Sequence, residues 1–131
     1  MTSMKPFLMF QGAKAEEALR FYVETIPGSR IDNLELFGAQ GPGPEGTVLR
    51  GYVTIAGQQE MAHDSFIKHG FDFTPSFSFF LDCADEAEFD RLFAELSEGG
   101  AALMPPDNYG WSRKFGWLSD RFGVSWQLNL E

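Results

Sequence analysis

A single cysteine, Cys83, stands in the 131 residues, so the chain holds no internal disulfide and suits a reducing compartment. No His or Lys sits beside it to draw the thiol toward thiolate, and we read it as a small apolar residue between a strand and a helix. Cations are scarce as well: 10 Lys and Arg against 19 Asp and Glu leave a net charge of −9. Phosphate recognition needs clustered basic side chains, so nucleic acid is excluded as a partner, and an anionic membrane surface is disfavoured. Long hydrophobic runs are missing too. The opening MTSMKPFLMF carries one Lys and an apolar stretch too short for a signal peptide or a membrane span. We therefore expect a cytoplasmic protein with no membrane partner. The two histidines, His63 and His69, stand neither i, i+4 nor i, i+2 apart and make a poor metal pair.

What is present is an ordinary globular composition, 44% apolar and 22% charged, enriched in Phe, of which there are 14. One domain, residues 1–131, has enough chain for a core. Pro6 to Phe10 reads as a strand with Phe7 and Met9 on one side and Leu8 and Phe10 on the other. Ala15, Ala18, Leu19, Tyr22, Val23 and Ile26 form the stripe of an amphipathic helix that Pro27-Gly28 stops. Arg30 to Phe37 reads as a strand of imperfect period. GAQGPGPEG, residues 38–46, is glycine-rich, but no helix and no Lys-Ser/Thr pair follows it, so it is a loop rather than a phosphate cradle. Leu49 to Ile55 alternates as a strand, Ala56-Gly57 turns, and Gln58 to Ala62 is its hairpin partner. Residues 63–76 read as a linker.

The pattern then restarts. Pro75 opens a strand in which Phe77, Phe79 and Leu81 alternate with Ser76, Ser78, Phe80 and Asp82. Asp85 and Glu88 stand in capping-box spacing before a helix striped by Phe89, Leu92, Phe93 and Leu96 and stopped by Gly99-Gly100. Ala101 to Met104 is a short strand ended by Pro105-Pro106. The last stretch, GWLSDRFGVSWQL, is two strands about an Asp120-to-Gly123 turn. Val124, Trp126, Leu128 and Leu130 form its apolar face, and Ser125, Gln127 and Asn129 its polar one. The order β-α-β-β-β occurs twice, with halves at about 1–66 and 70–131.

This order, the EEALRFY helix, the SFSFFLDC strand and the terminal FGWLSDRFGVSWQL resemble the PhnB-like family, also called the 3-demethylubiquinone-9 3-methyltransferase-like domain, of the vicinal oxygen chelate superfamily. The resemblance covers almost the whole chain. It implies an α+β fold of two βαβββ modules forming a curved, cup-like mixed sheet, the glyoxalase/bleomycin-resistance fold, often paired as a homodimer. In metal-dependent members four ligands look inward from the first and last strand of each half. Those positions fall here on Phe7, on a residue within Gln58 to Asp64 for which Glu60 is the best oxygen ligand, on Ser76, and on Gln127. A catalytic divalent site wants about three His or carboxylate ligands, so we expect no metal. Nor does a glycine-rich strand-to-helix loop or an acidic strand end offer a cradle for S-adenosylmethionine, so no cofactor is expected.

The expected pocket is lined by Phe7, Met9, Glu60, Ser76, Ser78, Phe80, Trp117 and Gln127, with Ser125 and Asn129 on the closing strand and Tyr109 and Trp111 at the mouth. Apolar walls with a few fixed polar groups suit a small organic ligand. Available general bases are Glu60, Asp64, His63 and Asp120, the last accounted for by its turn. We expect a small-molecule binder without a metal. An enzyme with an atypical site and a ligand-free dimeric scaffold are the alternatives.

Overall fold

The computed structural model describes all 131 residues and divides into two compact units, residues 1–70 and 71–131. The first contains β1 (Phe7–Phe10), α1 (Ala15–Thr25), β2 (Arg30–Leu36), β3 (Val48–Ile55) and β4 (Gln58–Asp64). Its sheet runs β1-β4-β3-β2, with β1 parallel to β4 and the other pairs antiparallel. The second contains β5 (Ser78–Asp82), α2 (Glu86–Ser97), β6 (Ala101–Asp107), β7 (Lys114–Ser119) and β8 (Ser125–Leu130). Its sheet repeats the plan as β5-β8-β7-β6, again with the first and last strands parallel. The fold is the expected α+β pair of βαβββ modules. Neither helix is long and apolar enough to cross a membrane.

Each helix buries one stripe on one face of its sheet. In α1 that stripe is Ala15, Ala18, Leu19 and Tyr22, all fully buried. Gly51 on β3 receives it: a Cβ there would stand 3.1 Å from Leu19 Cδ1. In α2, Phe89, Leu92 and Leu96 are buried over Leu118, Trp126, Leu128 and Leu130, and Gly116 makes room for Phe93, whose Cε2 would lie 2.5 Å from an added Cβ. The other face of each sheet carries no helix, and that face positions the candidate site.

The helix starts are held by carboxylates. Asp85 accepts from the Glu88 amide at 2.8 Å and caps α2, while Glu88 Oε1 reaches back past the cap to accept from the Ala84 amide at 3.0 Å. Asp85→Ala should cost about 1 kcal/mol of stability, measurable as a lowered midpoint in urea at unchanged m-value. Lys14 gives α1 no side-chain cap. The buried Asp64 at the end of β4 replaces it, accepting from the Ala15 and Val48 amides, each at 2.9 Å.

One irregularity expected from the sequence is explained by the structure, and two local expectations need correction. The poor period of Arg30 to Leu36 comes from register shifts between Ile31 and Asn33 and between Glu35 and Leu36, which break strict alternation. Pro105 and Pro106 do not end β6. The strand continues to Asp107, because it is an edge where a missing N–H removes no ladder bond, and the register shifts there between Met104 and Asp107. Ser76 lies outside β5, in an exposed turn where the Ser76 amide donates to Thr74 Oγ1 at 3.1 Å and the Phe77 amide to Thr74 O at 3.3 Å. A threonine before proline made a local turn where the alternation alone suggested strand.

Candidate functional site

The helix-free face of the second sheet is a three-by-three array set by strand register. Across β5, β8 and β7 its rows are Ser78, Ser125 and Ser119; Phe80, Gln127 and Trp117; and Asp82, Asn129 and Phe115. Ser78 and Ser125 of the first row join Trp117 of the second in a hydrogen-bonded belt that leaves Ser119 out. Trp117 Nε1 donates to Ser125 Oγ at 2.8 Å, and the Ser125 and Ser78 hydroxyls share a bond of 2.6 Å. Ser125 is buried, so its hydroxyl is committed to locking the Trp117 ring. In the third row Asn129 Nδ2 donates to Asp82 Oδ1 at 3.0 Å and to Glu131 Oε1 at 3.3 Å, while the buried Asn129 Oδ1 has no partner. Between these fixed rows stands Gln127, half-buried, its side-chain amide bound to no other group of the chain. Phe80 beside it is 54% exposed. An uncommitted amide between a locked indole and an open phenyl ring can orient a polar group of a guest whose apolar part covers the rings.

The first sheet's helix-free face is built the same way. Phe7 pairs with Met61, which pairs with Tyr52, and Met9 pairs with His63. The Phe7 ring lies 6.2 Å from that of His63, and Phe37 lies 6.1 Å from it on edge. His63 Nδ1 is 2.7 Å from the Leu49 carbonyl oxygen, which holds the ring in place. At the far end a polar knot goes unannounced in the sequence. Asp32 accepts from Thr54 Oγ1 at 2.6 Å, Gln59 Nε2 at 3.2 Å and Arg30 Nε at 2.8 Å. These donors hold its carboxyl below the usual range, the Thr54 bond contributing most. Thr54 and Gln59 share a cross-strand pair, the one signal that could have led to it.

Glu60 is not on this face. The register left open by the sequence pairs it with Val53, on the side that packs against α1 with Ala62 and Asp64. It is 1% exposed, Oε1 has no hydrogen-bond partner, and burial pushes its pKa up to about 8. A residue on the helix side of the sheet cannot share a pocket with Phe7 and Met9, so Glu60 leaves the ligand set and the list of bases. The position opposite Phe7 belongs to Met61. Asp64 and Asp120 are likewise consumed structurally, Asp64 at the start of α1 and Asp120 within its turn. Cys83 is half-buried, and burial and the negative charge of Glu88 push its thiol up to about 11, which favours the protonated form.

The groups that the fold and the family imply do not fit these residues. Phe7, Met61 and Gln127 on the helix-free faces, with Ser76 displaced into a turn, supply neither imidazole nor carboxylate for a divalent ion, and nowhere do three or more His, Cys, Asp or Glu side chains gather as a metal site. An adenosyl cofactor fares no better. The N-termini of both helices, where an anionic group would be held, are already met by Asp64 and Asp85.

Two βαβββ modules, each a four-stranded mixed sheet backed by one helix, define the glyoxalase/bleomycin-resistance fold. Within that class the chain belongs to the PhnB-like family described as 3-demethylubiquinone-9 3-methyltransferase, whose family model matches residues 2–129. A putative 3-demethylubiquinone-9 3-methyltransferase, PhnB protein, from Bacillus cereus is 45% identical, with a TM-score of 0.94 over 99% of this chain and 100% of that one. Protein PA1353 from Pseudomonas aeruginosa is 29% identical, with a TM-score of 0.84 over 100% of this chain and 98% of that one. Protein YjdN of Escherichia coli is 26% identical over 97% of this chain and 94% of its own.

Proposed function

We propose that this protein is a metal-free, non-catalytic binder of a small organic molecule, acting as a cytoplasmic homodimer. The observation that carries the reading is the unbound side-chain amide of Gln127, set between the locked Trp117 and the exposed Phe80. The absence of a free acid or base around it supports binding over chemistry: the remaining polar groups of that face are two serines in a closed belt, the hydroxyl of Ser119 and an Asn–Asp pair. Pairing of two chains is supported by apolar surface that a single chain leaves open away from that site, including Ile67 at 59%, Phe71 at 62% and Phe77 at 58%.

A thermal-shift screen of small heteroaromatic molecules, with and without added divalent ions, tests this. A true ligand at about 100 times its Kd adds roughly 2.7 kcal/mol to the folded state by mass action, and its effect should be indifferent to the ions. Gln127→Ala should weaken such a ligand about tenfold, the value of one oriented hydrogen bond in a half-buried site. If no compound raises the melting point while sedimentation still gives a dimer, the protein is a scaffold. A response that requires the ion would restore a metal site.

A further inference from the structure

Resting on that reading, the geometry points to a planar-ring subsite at the Phe115 end of the second sheet, selective for aromatic cations. Phe115 on β7 is nearly buried, and other rings do the burying. Trp111 meets it edge-on at 5.3 Å, Tyr109 edge-on at 6.1 Å, and Phe80 tilted at 6.4 Å. Tyr109 and Trp111 stack on each other at 5.6 Å with only 18° between their planes. The Tyr109 hydroxyl donates to the Pro105 carbonyl at 2.6 Å, anchoring the stack to β6. Four rings from two strands and one loop are thus fixed around a single centre. Two of them stay open to solvent, Trp111 at 62% and Phe80 at 54%.

A rigid stack that leaves ring area exposed loses little freedom when another ring lies on it, so stacking there is preorganised. The charge of the guest follows from what borders the rings. Asp82 lies in the same array row as Phe115, Asp107 pairs with Phe115 from β6, and Glu131 shares Asn129 with Asp82. Against these three carboxylates stands one local cation, Arg113, since Lys114 is held by Asp90 at 2.7 Å and Glu86 at 3.3 Å on α2. Indole and phenol faces are themselves electron-rich and attract cations. Rings and carboxylates favour the same ligand.

The test uses three planar probes at pH 8 on the full chain: 9-aminoacridine, a cation; acridine, neutral; and naphthalene-2-sulfonate, an anion. Binding is read by calorimetry, and folding of each variant by its melting curve. The cation should bind at least tenfold tighter than the anion. Trp111→Ala should weaken both acridines about tenfold and Trp111→Phe far less, while Asp82→Asn should weaken 9-aminoacridine alone. Rings that bind the wild type but ignore Trp111→Ala and Phe80→Ala overturn the subsite and leave the proposed Gln127 site standing. Failure of every probe, together with an empty ligand screen, would sink both. A Trp111→Ala chain that changes its sedimentation rather than its ring affinity would make the patch a contact between copies and refute the proposal.

Discussion

Asp120→Ala should remove about 3–5 kcal/mol of stability and lower the melting temperature by more than about 10 °C. Asp120 sits at the reversal between β7 and β8, 3% exposed, with both carboxylate oxygens occupied. Oδ1 accepts from the Phe122 amide at 2.8 Å and the Val124 amide at 3.0 Å, closing the turn, while Oδ2 accepts from Trp126 Nε1 at 2.9 Å. Trp126 is the largest fully buried side chain and lies under Phe79 at 5.0 Å. Truncation therefore strands a buried indole N–H and a buried backbone N–H without their acceptor. Leaving each unmet costs about 1–3 kcal/mol. Asp120→Asn separates the two roles. The amide oxygen can still close the turn, but its NH2 then faces the indole donor, so about half the loss should remain. Urea titration with tryptophan fluorescence measures both. A cost under about 1 kcal/mol for the alanine variant would show that the turn closes without its carboxylate.

That turn was legible in the sequence because its causes are local: an Asp that can accept from amides two and four residues ahead, and Gly123 at φ 90°, where a Cβ is unfavourable. The same holds for the alternation of β8, the stripes of both helices and the Asp85 cap. From these, with the repeat, the two-module fold followed. The site was less legible, for two reasons. Strand faces depend on register, and a slip of one residue exchanges them. The segment from Gln58 to Asp64 could have presented Glu60 or Met61 beside Phe7, and only the pairing of Phe7 with Met61 decides. Long-range partners are also invisible to spacing. Nothing near Ala15 announces that its cap is Asp64, 49 residues on, and nothing near Ser125 announces Ser78 and Trp117.

The two halves share a plan but spend their polar residues differently. On the first sheet the helix side carries two acids, one feeding a helix start and one bonded at Oε1 to nothing, and the open side carries the Asp32 knot and Met61. On the second sheet the helix side is hydrocarbon apart from Lys114, which reaches Asp90 and Glu86 on α2, and the open side holds the serine belt, Gln127 and the ring cluster. A duplicated architecture has thus left the second sheet with the open polar and aromatic groups on which the proposed binding site rests. The first retains an acid with no partner at Oε1 and no access to solvent.

That acid makes stability depend on pH in an unusual direction. Because burial raises the Glu60 pKa from 4.5 to about 8, the folded chain keeps a proton that the unfolded chain has already released. Across that window the unfolded state binds fewer protons, so stability falls as pH rises. The contribution is whole below the unfolded value, declines through the interval and levels off once the folded carboxyl also ionises near pH 8. At roughly 1.36 kcal/mol per pH unit, the loss attributable to Glu60 is on the order of 3–5 kcal/mol. Asp32 acts oppositely: its depressed pKa stabilises above its unfolded value and is lost only in more acidic solution, below the window where Glu60 dominates. Glu60→Gln keeps the shape and removes the titration. The variant should therefore match the wild type near pH 5, exceed it by a few kcal/mol at pH 8.5, and show a nearly flat profile between. Denaturant midpoints taken at half-unit pH steps decide the matter, since parallel profiles for the two proteins would mean that Glu60 ionises in the fold as easily as it does in water.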